Sequence, residues 1–357
     1  MNSTLKKNRP VAIWLVIGAV LIIIQILLGG ITRLTGSGLS ITEWKPILGA
    51  LPPMNEHDWN VAFDKYKEIA QFKYIHNHFT MKEFKFIYFW EWFHRNWGRF
   101  MGIVFIVPFI YFLYTKRINR SMLWPMITLF LLGGLTGALG WIMVKSGVGT
   151  ELVYVDHIKL AIHLMSAVLL LCFVVWFALK ISYDRYLIKP VPTVKTFNWV
   201  LILLVTAQLI YGAFMAGSHA AKSAVTWPDI NGTFFPAMFD EGNGGFWYNV
   251  TRNLITIQFI HRNLAYLILL LVVIFTMKLY NQPKSSSLYK LRNFPIIITF
   301  IQVVLGITTL LLYLNDDHRL LYGVLHQLFG VLMIVSLIAT LYFSGKRPSQ
   351  KTNTFST

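Results

Sequence analysis

Eight runs of about 20 predominantly apolar residues constrain this chain more than any other feature. They lie near 11–30, 86–114, 122–144, 157–179, 197–216, 256–277, 294–314 and 320–343. Segments of that length and character cross a bilayer as helices, so the expected fold is an all-α integral membrane protein with eight transmembrane helices. Composition agrees, with 55% hydrophobic and only 13% charged residues among 357. Eight spans leave room for one or two sizeable loops but not for a separate catalytic domain, so any chemistry must sit among the helices. The one cysteine, Cys172, lies inside an apolar run. Counting alone therefore excludes intramolecular disulfides, iron–sulfur clusters and multi-thiolate zinc sites. Ten histidines leave imidazole as the ligand to follow.

The net charge of +17 would suggest nucleic acid in a soluble chain, but in a membrane protein the place of the charge matters more than its sum. With the N-terminus in the cytoplasm, the inner segments hold 17 basic residues, from Lys6, Lys7 and Arg9 to Lys346, Arg347 and Lys351, against one acid, Asp184. The outer side holds the other 15 basic residues and 14 acids. This positive-inside distribution places both termini in the cytoplasm, and the lipid bilayer explains the charge without any nucleic-acid role. The first run follows three cations as a signal peptide would. Gly29–Gly30, however, leads straight into Ile31, Thr32 and Arg33 with no small-residue cleavage site, so the run is read as a retained helix. The stretch before it is too short for a mitochondrial transit peptide, which favours the plasma (inner) membrane of a bacterium. Two outer segments, 31–85 and 217–255, are too long for tight turns. Their mixture of Pro, Gly, Trp, charged and apolar residues predicts that they fold back over the helices and cover a site.

Cutting the chain near residue 190 gives two similar halves of four spans, 1–190 and 191–357. The first helix of each half ends in Gln-x-x-x-Gly, at Gln25/Gly29 and Gln208/Gly212, then enters an outer loop with Trp and Pro (Trp44, Pro46; Trp227, Pro228). The second opens with His-Arg-Asn at 94–96 and 261–263, and the third carries Thr136 and Gly140 against Gln302 and Gly306. The fourth has one central histidine, His163 or His326. An even number of spans per half makes the repeats parallel, related by an axis near the membrane normal. Two four-helix bundles side by side are expected.

His94, His163, His261 and His326 fall five to eight residues into the predicted even-numbered helices, all of which run from outside to inside. At ~1.5 Å per residue they share one depth, roughly 8–12 Å below the outer surface. A lone intramembrane histidine is commonly a packing or hydrogen-bonding residue, whereas four at matched depth, paired by the repeat, point to ligation. Position i+4 is small each time (Gly98, Ala167, Ala265, Gly330), which offers clearance for a flat macrocycle as well as for plain helix packing. Imidazoles on facing helices of a four-helix bundle can hold heme iron from both sides, while zinc or copper would ask for three or four clustered ligands. One heme per bundle, near the outer side, is the expectation. The other six, His57, His76, His78, His157, His219 and His318, are read as surface residues.

Arg95 and Arg262 follow the histidines of the second helix in each half, and Arg99 lies one turn beyond Arg95. Near the outer surface they can hold heme propionates through bidentate guanidinium contacts, or simply snorkel to the interface. The halves differ at one informative place, where Glu91 precedes His94 by three residues and Gln258 precedes His261. A carboxyl group at this depth costs about 2.5–3.5 kcal/mol to insert. Glu91 is thus a candidate general acid/base, or a structural partner of Arg95 or Trp92. The asymmetry suggests a reactive N-terminal bundle and a C-terminal bundle that only holds a cofactor.

Three stretches carry a family likeness: Gly29-Gly-Ile-Thr-Arg-Leu-Thr-Gly-Ser-Gly-Leu-Ser-Ile-Thr-Glu-Trp-Lys-Pro46, Glu91-Trp-Phe-His-Arg-Asn-Trp-Gly-Arg99 and Trp141-Ile-Met-Val-Lys-Ser-Gly147. On these the chain closely resembles heme A synthase over nearly its whole length. It looks like the mitochondrial and alphaproteobacterial class, since residues 31–85 lack the cysteine pair of the other class. The resemblance implies an oxidoreductase that converts a ring methyl group of heme O to a formyl group by successive hydroxylations, making heme A for cytochrome oxidase. It implies substrate heme at His94 and His163 with Arg95 and Arg99 nearby, Glu91 catalytic, and a heme b cofactor at His261 and His326 beside Arg262. Implied partners are heme O synthase, cytochrome oxidase assembly factors and an external electron carrier. Small-residue faces such as Gly133-x-x-x-Gly137 also leave a homo-oligomer open. The competing expectations are a di-heme b membrane cytochrome that takes electrons from quinol, and a secondary transporter, which also explains parallel repeats. Against the transporter, the polar residues concentrate near one face rather than at broken helices in the midplane.

Overall fold

A computed structural model describes residues 3–43, 48–183, 188–237 and 244–345. Trp44, Pro46, Asp184, Lys346, Arg347 and Lys351, all invoked above, lie outside the described residues. In chain order the helices are α1 (Ser3–Leu34), α2 (Glu56–Lys67), α3 (Met81–Tyr114), α4 (Arg120–Lys145), α5 (His157–Ser182) and α6 (Pro192–Gly217). They continue as α7 (Gly245–Arg252), α8 (Leu254–Tyr280), α9 (Ser287–Leu291), α10 (Phe294–Leu311) and α11 (Asp316–Ser344). Eight spans are long and apolar enough to cross a membrane: α1, α3, α4, α5, α6, α8, the α9–α10 unit and α11. Each coincides with one predicted run.

Local chemistry sets where these helices begin. The Asn119, Asp156 and Asn253 side chains accept from backbone N–H groups of the first turns of α4, α5 and α8, and Pro192 and Pro295 occupy the first turns of α6 and α10. The α3 helix starts at Met81, ahead of its apolar run, because Thr80 and Glu83 form a reciprocal capping box. His94 consequently lies further along its helix than the start of the apolar run near residue 86 predicts.

In the first half α1 packs on α3 and α5, and α4 packs on α5. In the second, α6 packs on α8 and α11, and α10 on α8 and α11. The halves meet through α1 on α11, α5 on α6 and α5 on α11. Leu171, Leu201, Val272, Phe275 and Leu337 are fully enclosed in the shared core. Polar ties cross it as well: Asn198 donates to Leu337 O and Thr340 Oγ1, both at 2.9 Å, and Gln327 Nε2 donates to Ile26 O at 2.9 Å. Large apolar side chains such as Leu203 (66% exposed) and Phe300 (64%) face outward along the spans, as lipid contact requires.

The segment 31–85 folds back on the helices. Leu39, Phe63, Tyr66, Ile69, Phe84 and Ile87 make a second small core that fastens α2 over the N-terminal end of α3. In the segment after α6, a short 3₁₀ turn (Ala220–Ser223) joins Ala161, Ala213, Phe214 and Ile257 in a matching cluster.

Candidate functional site

Each of the four intramembrane histidines stands opposite a glycine of a neighbouring helix. A methyl group added to Gly29 of α1 would come 3.3 Å from His94 Nε2, and one on Gly140 of α4 2.8 Å from His163 Cε1. On Gly212 of α6 it would come 3.4 Å from His261 Cε1, and on Gly306 of α10 2.9 Å from His326 Cε1. The missing side chain is what admits the ring, which is why the paired motifs end in glycine. Two of the four small residues at i+4 also leave room for a glutamine of a neighbouring helix. A Cβ on Gly98 would meet Gln25 Nε2 at 3.7 Å, and one on Gly330 would meet Gln302 Nε2 at 3.2 Å. Their clearance lets a glutamine from the next helix reach the histidine layer.

The residue one turn before each facing glycine addresses the same histidine. His326 Nδ1 meets Gln302 O at 3.1 Å. A proton held on Nδ1 by that carbonyl leaves Nε2 with a free lone pair, the form that binds a metal. Gln302 Nε2 and Gln208 Nε2 approach His326 Nε2 and His261 Nε2 at 3.4 Å each, and Gln25 Nε2 donates to His94 O at 3.1 Å. The Thr136 and Gln208 carbonyls likewise face the rings of His163 and His261, and the Oε1 atoms of Gln25, Gln208 and Gln302 are buried with no hydrogen-bond partner.

The rings of His261 and His326 lie 6.4 Å apart, centre to centre, and are inclined at 75°. Two imidazoles on opposite sides of one iron, with metal–nitrogen bonds of about 2 Å and ring centres about 1 Å behind, stand about 6 Å apart. This spacing, together with the orphaned polar atoms around it, fits a bis-histidine heme. His163 lies within electrostatic reach of His94. Among the described residues no three His, Cys, Asp or Glu side chains come together as a metal cluster would need.

Next to these histidines both halves build a similar knot from a helix residue, the arginine four positions on, and a loop. Glu91, 2% exposed, accepts at Oε2 from Ser40 Oγ (2.7 Å) and Ile41 N (2.8 Å) and at Oε1 from Arg95. Arg95 also donates to Ile41 O and Glu43 O. Gln258, fully buried, donates from Nε2 to Ala220 O (3.3 Å) and Ala224 O (3.0 Å) and accepts at Oε1 from Arg262. Arg262 donates onward to Ala224 O and Asp229 O. The polarity is reversed between halves. The first loop presents donors, which a carboxylate meets with its oxygens, whereas the second presents carbonyls, which an amide meets with its NH₂ group. The Glu/Gln difference therefore has a structural reason beside any chemical one. Arg99 donates to Asn96 Oδ1 at 2.7 Å.

Three of the six histidines expected at the surface are half-buried and bonded. His76 Nδ1 meets the buried Tyr66 hydroxyl at 2.6 Å and its ring stacks on Phe79. His157 Nε2 meets Thr251 O at 2.6 Å, and His219 Nδ1 meets the Tyr313 hydroxyl at 3.0 Å. Their partners lie in folded outer segments whose packing has no periodic signature. His57, His78 and His318 are exposed.

The family model COX15-CtaA, described as cytochrome oxidase assembly protein, matches residues 12–338. The chain belongs to this family. A heme A synthase of Flavobacterium psychrophilum is 38% identical over 343 residues, covering 95% of this chain and 99% of the relative. One of Nitrosomonas eutropha is 38% identical over 93% of each chain. One of Wolbachia pipientis is 39% identical over 92% of this chain and 96% of its own. In this COX15-CtaA family member the matched region takes in six of the spans whole and most of the first and last, with all four intramembrane histidines and both loop knots.

Proposed function

We propose that this family member is a heme A synthase that oxidises a ring methyl group of heme O to a formyl group by successive hydroxylations, supplying heme A for cytochrome oxidase. The observation that carries the reading is that two equivalent histidine pairs are each seated against helix glycines, while only one is accompanied by a buried carboxylate. In this reading 1–190 is the substrate half, with heme O at His94 and His163, and 191–357 is the cofactor half, with heme b at His261 and His326. Heme b, when bound, supplies one-electron redox chemistry. Glu91 takes or gives a proton near the methyl group. The 31–85 segment excludes water from the site, and Arg95, Arg99 and Arg262 offer guanidinium groups to propionates when their present contacts rearrange.

The absence of cysteine from 31–85 supports the class without an outer-loop cysteine pair. Bacterial relatives and the distribution of basic residues support a plasma-membrane location, cytoplasmic termini and heme sites near the outer side. Heme O synthase and oxidase assembly factors are the partners this role requires.

A di-heme b cytochrome is the second reading, favoured by the full engagement of Glu91 with Ser40, Ile41 and Arg95. Liquid chromatography and pyridine-hemochrome spectra of hemes extracted from protein made in cells that also produce heme O separate the two. Heme b together with heme O, a hydroxylated intermediate or heme A is expected. Two equivalents of heme b alone would establish the cytochrome instead, and no heme would end both readings.

A further inference from the structure

A cavity of about 300 Å³ opens at the outer face where the start of α5 meets the end of α6, on the seam between the halves. Leu152, Val153 and Val155 give it apolar walls, and Tyr154, Asp156, His157, His219, Lys222 and Arg252 supply its polar groups. Most of these are committed within the protein. Asp156 caps α5 and pairs with Arg252 at 3.4 Å, and His157 is held by Thr251. His219 is only half satisfied, because its Nδ1 meets Tyr313 while its Nε2 is buried with no partner. The Tyr154 ring covers this imidazole, centres 4.3 Å apart. Arg33 lies 5.9 Å from the Tyr154 ring and donates to Ala216 O at the end of α6. Protein interiors seldom leave a ring nitrogen unmet, and an apolar cavity with a few convergent polar groups is the usual form of a small-ligand site.

We propose that this cavity binds the ring of a quinone, one quinone oxygen meeting His219 Nε2 and the ring lying among Tyr154 and the apolar walls. The Tyr313 hydroxyl can donate to His219 Nδ1 or accept from it. His219 accordingly offers Nε2–H to a carbonyl or a lone pair to a hydroxyl, and so serves both quinone and quinol. Burial, reinforced by Arg33, Lys222 and Arg319, pushes His219 down to about 3, so the ring stays neutral at physiological pH. A neutral imidazole, apolar walls and the Asp156–Arg252 pair suit an uncharged ring, and Lys222 in the lining makes displacement by an anion the competing outcome. The position at the outer ends of α5 and α6 suits a ligand whose tail remains in lipid.

The purpose of the site, though not its occupancy, rests on the proposed heme A synthase activity, where the quinone is the external electron carrier. In the first hydroxylation one methyl C–H bond and one water O–H bond break and a C–O bond forms. The two electrons and two protons released reduce the quinone to quinol.

The test uses full-length, heme-loaded protein in detergent titrated with menadione and with decylubiquinone, binding being followed by calorimetry. Saturable binding is expected, weakened at least tenfold by His219→Gln and by Tyr154→Leu, with heme content per protein unchanged. Tyr313→Phe, which keeps the ring and removes the tautomer partner, should weaken binding too, and covers the case in which either other variant fails to fold. No saturable binding, binding indifferent to all three variants, or displacement by inorganic phosphate or by phosphatidylglycerol would overturn the proposal. Heme extraction reads the synthase reading separately: quinone bound by a protein that makes no heme A would leave the site standing and remove its assigned purpose.

Discussion

At Gly306 an added methyl group would sit 2.9 Å from His326 Cε1, closer than carbon atoms tolerate without displacement. Gly306→Ala should therefore lose most of the C-terminal heme, whereas Gly18→Ala, where a Cβ meets nothing within 4 Å, should lose none; hemochrome spectra per mole of protein decide. Glu91 and Gln258 are the second residue-scale contrast. Glu91→Gln keeps an acceptor for Ser40 and Ile41, so heme binding should persist while formyl product falls about a hundredfold, the usual scale of general acid–base catalysis. Unchanged turnover would leave Glu91 a loop fastener. Gln258→Glu turns a carboxylate toward the Ala220 and Ala224 carbonyls and should cost about 1–3 kcal/mol, read as a lower unfolding temperature of the purified protein. The histidines and Glu91 could be singled out in the sequence as candidates, because their repeat positions mark them. The partners of Arg95 and Arg262 could not, since they are loop carbonyls, which every residue type carries.

Among the elements, the eight spans were readable because length and apolarity alone decide them. The start of α3 was not, because a capping box extends it beyond its apolar run. The segment 31–85 was legible by composition only as a loop folded back on the helices; its core around Phe63, Tyr66 and Phe84 comes from long-range packing. This segment also carries a pH dependence. Burial, with His78 nearby, pushes His76 down to about 4, below its ordinary value of about 6.5. The unfolded segment therefore binds a proton that the folded one refuses, so stability present above about pH 6.5 is lost progressively as pH falls toward 4. Limited proteolysis of the outer segment should quicken between pH 7 and pH 4.5. The His76→Gln protein should show a flatter profile.

For the whole molecule, the contacts of α1 with α11 and of α5 with α6 and α11 make the two halves a joined pair rather than beads on a chain. Residues 1–190 carrying an affinity tag, co-expressed with 191–357, should retain the second half through purification together with its heme; recovery of the tagged half alone would mean that covalent linkage, not packing, holds them. By itself the sequence determined the membrane class and the number of spans, and it singled out the candidate histidines. Each of these follows from local apolarity or from spacing along one chain. Only the tertiary structure decided which glycine faces which histidine, why Glu91 and Gln258 differ, and that His219 borders a cavity at the seam. Those depend on contacts between residues far apart in sequence, where shape and donor–acceptor polarity must match across helices and no periodicity records the match.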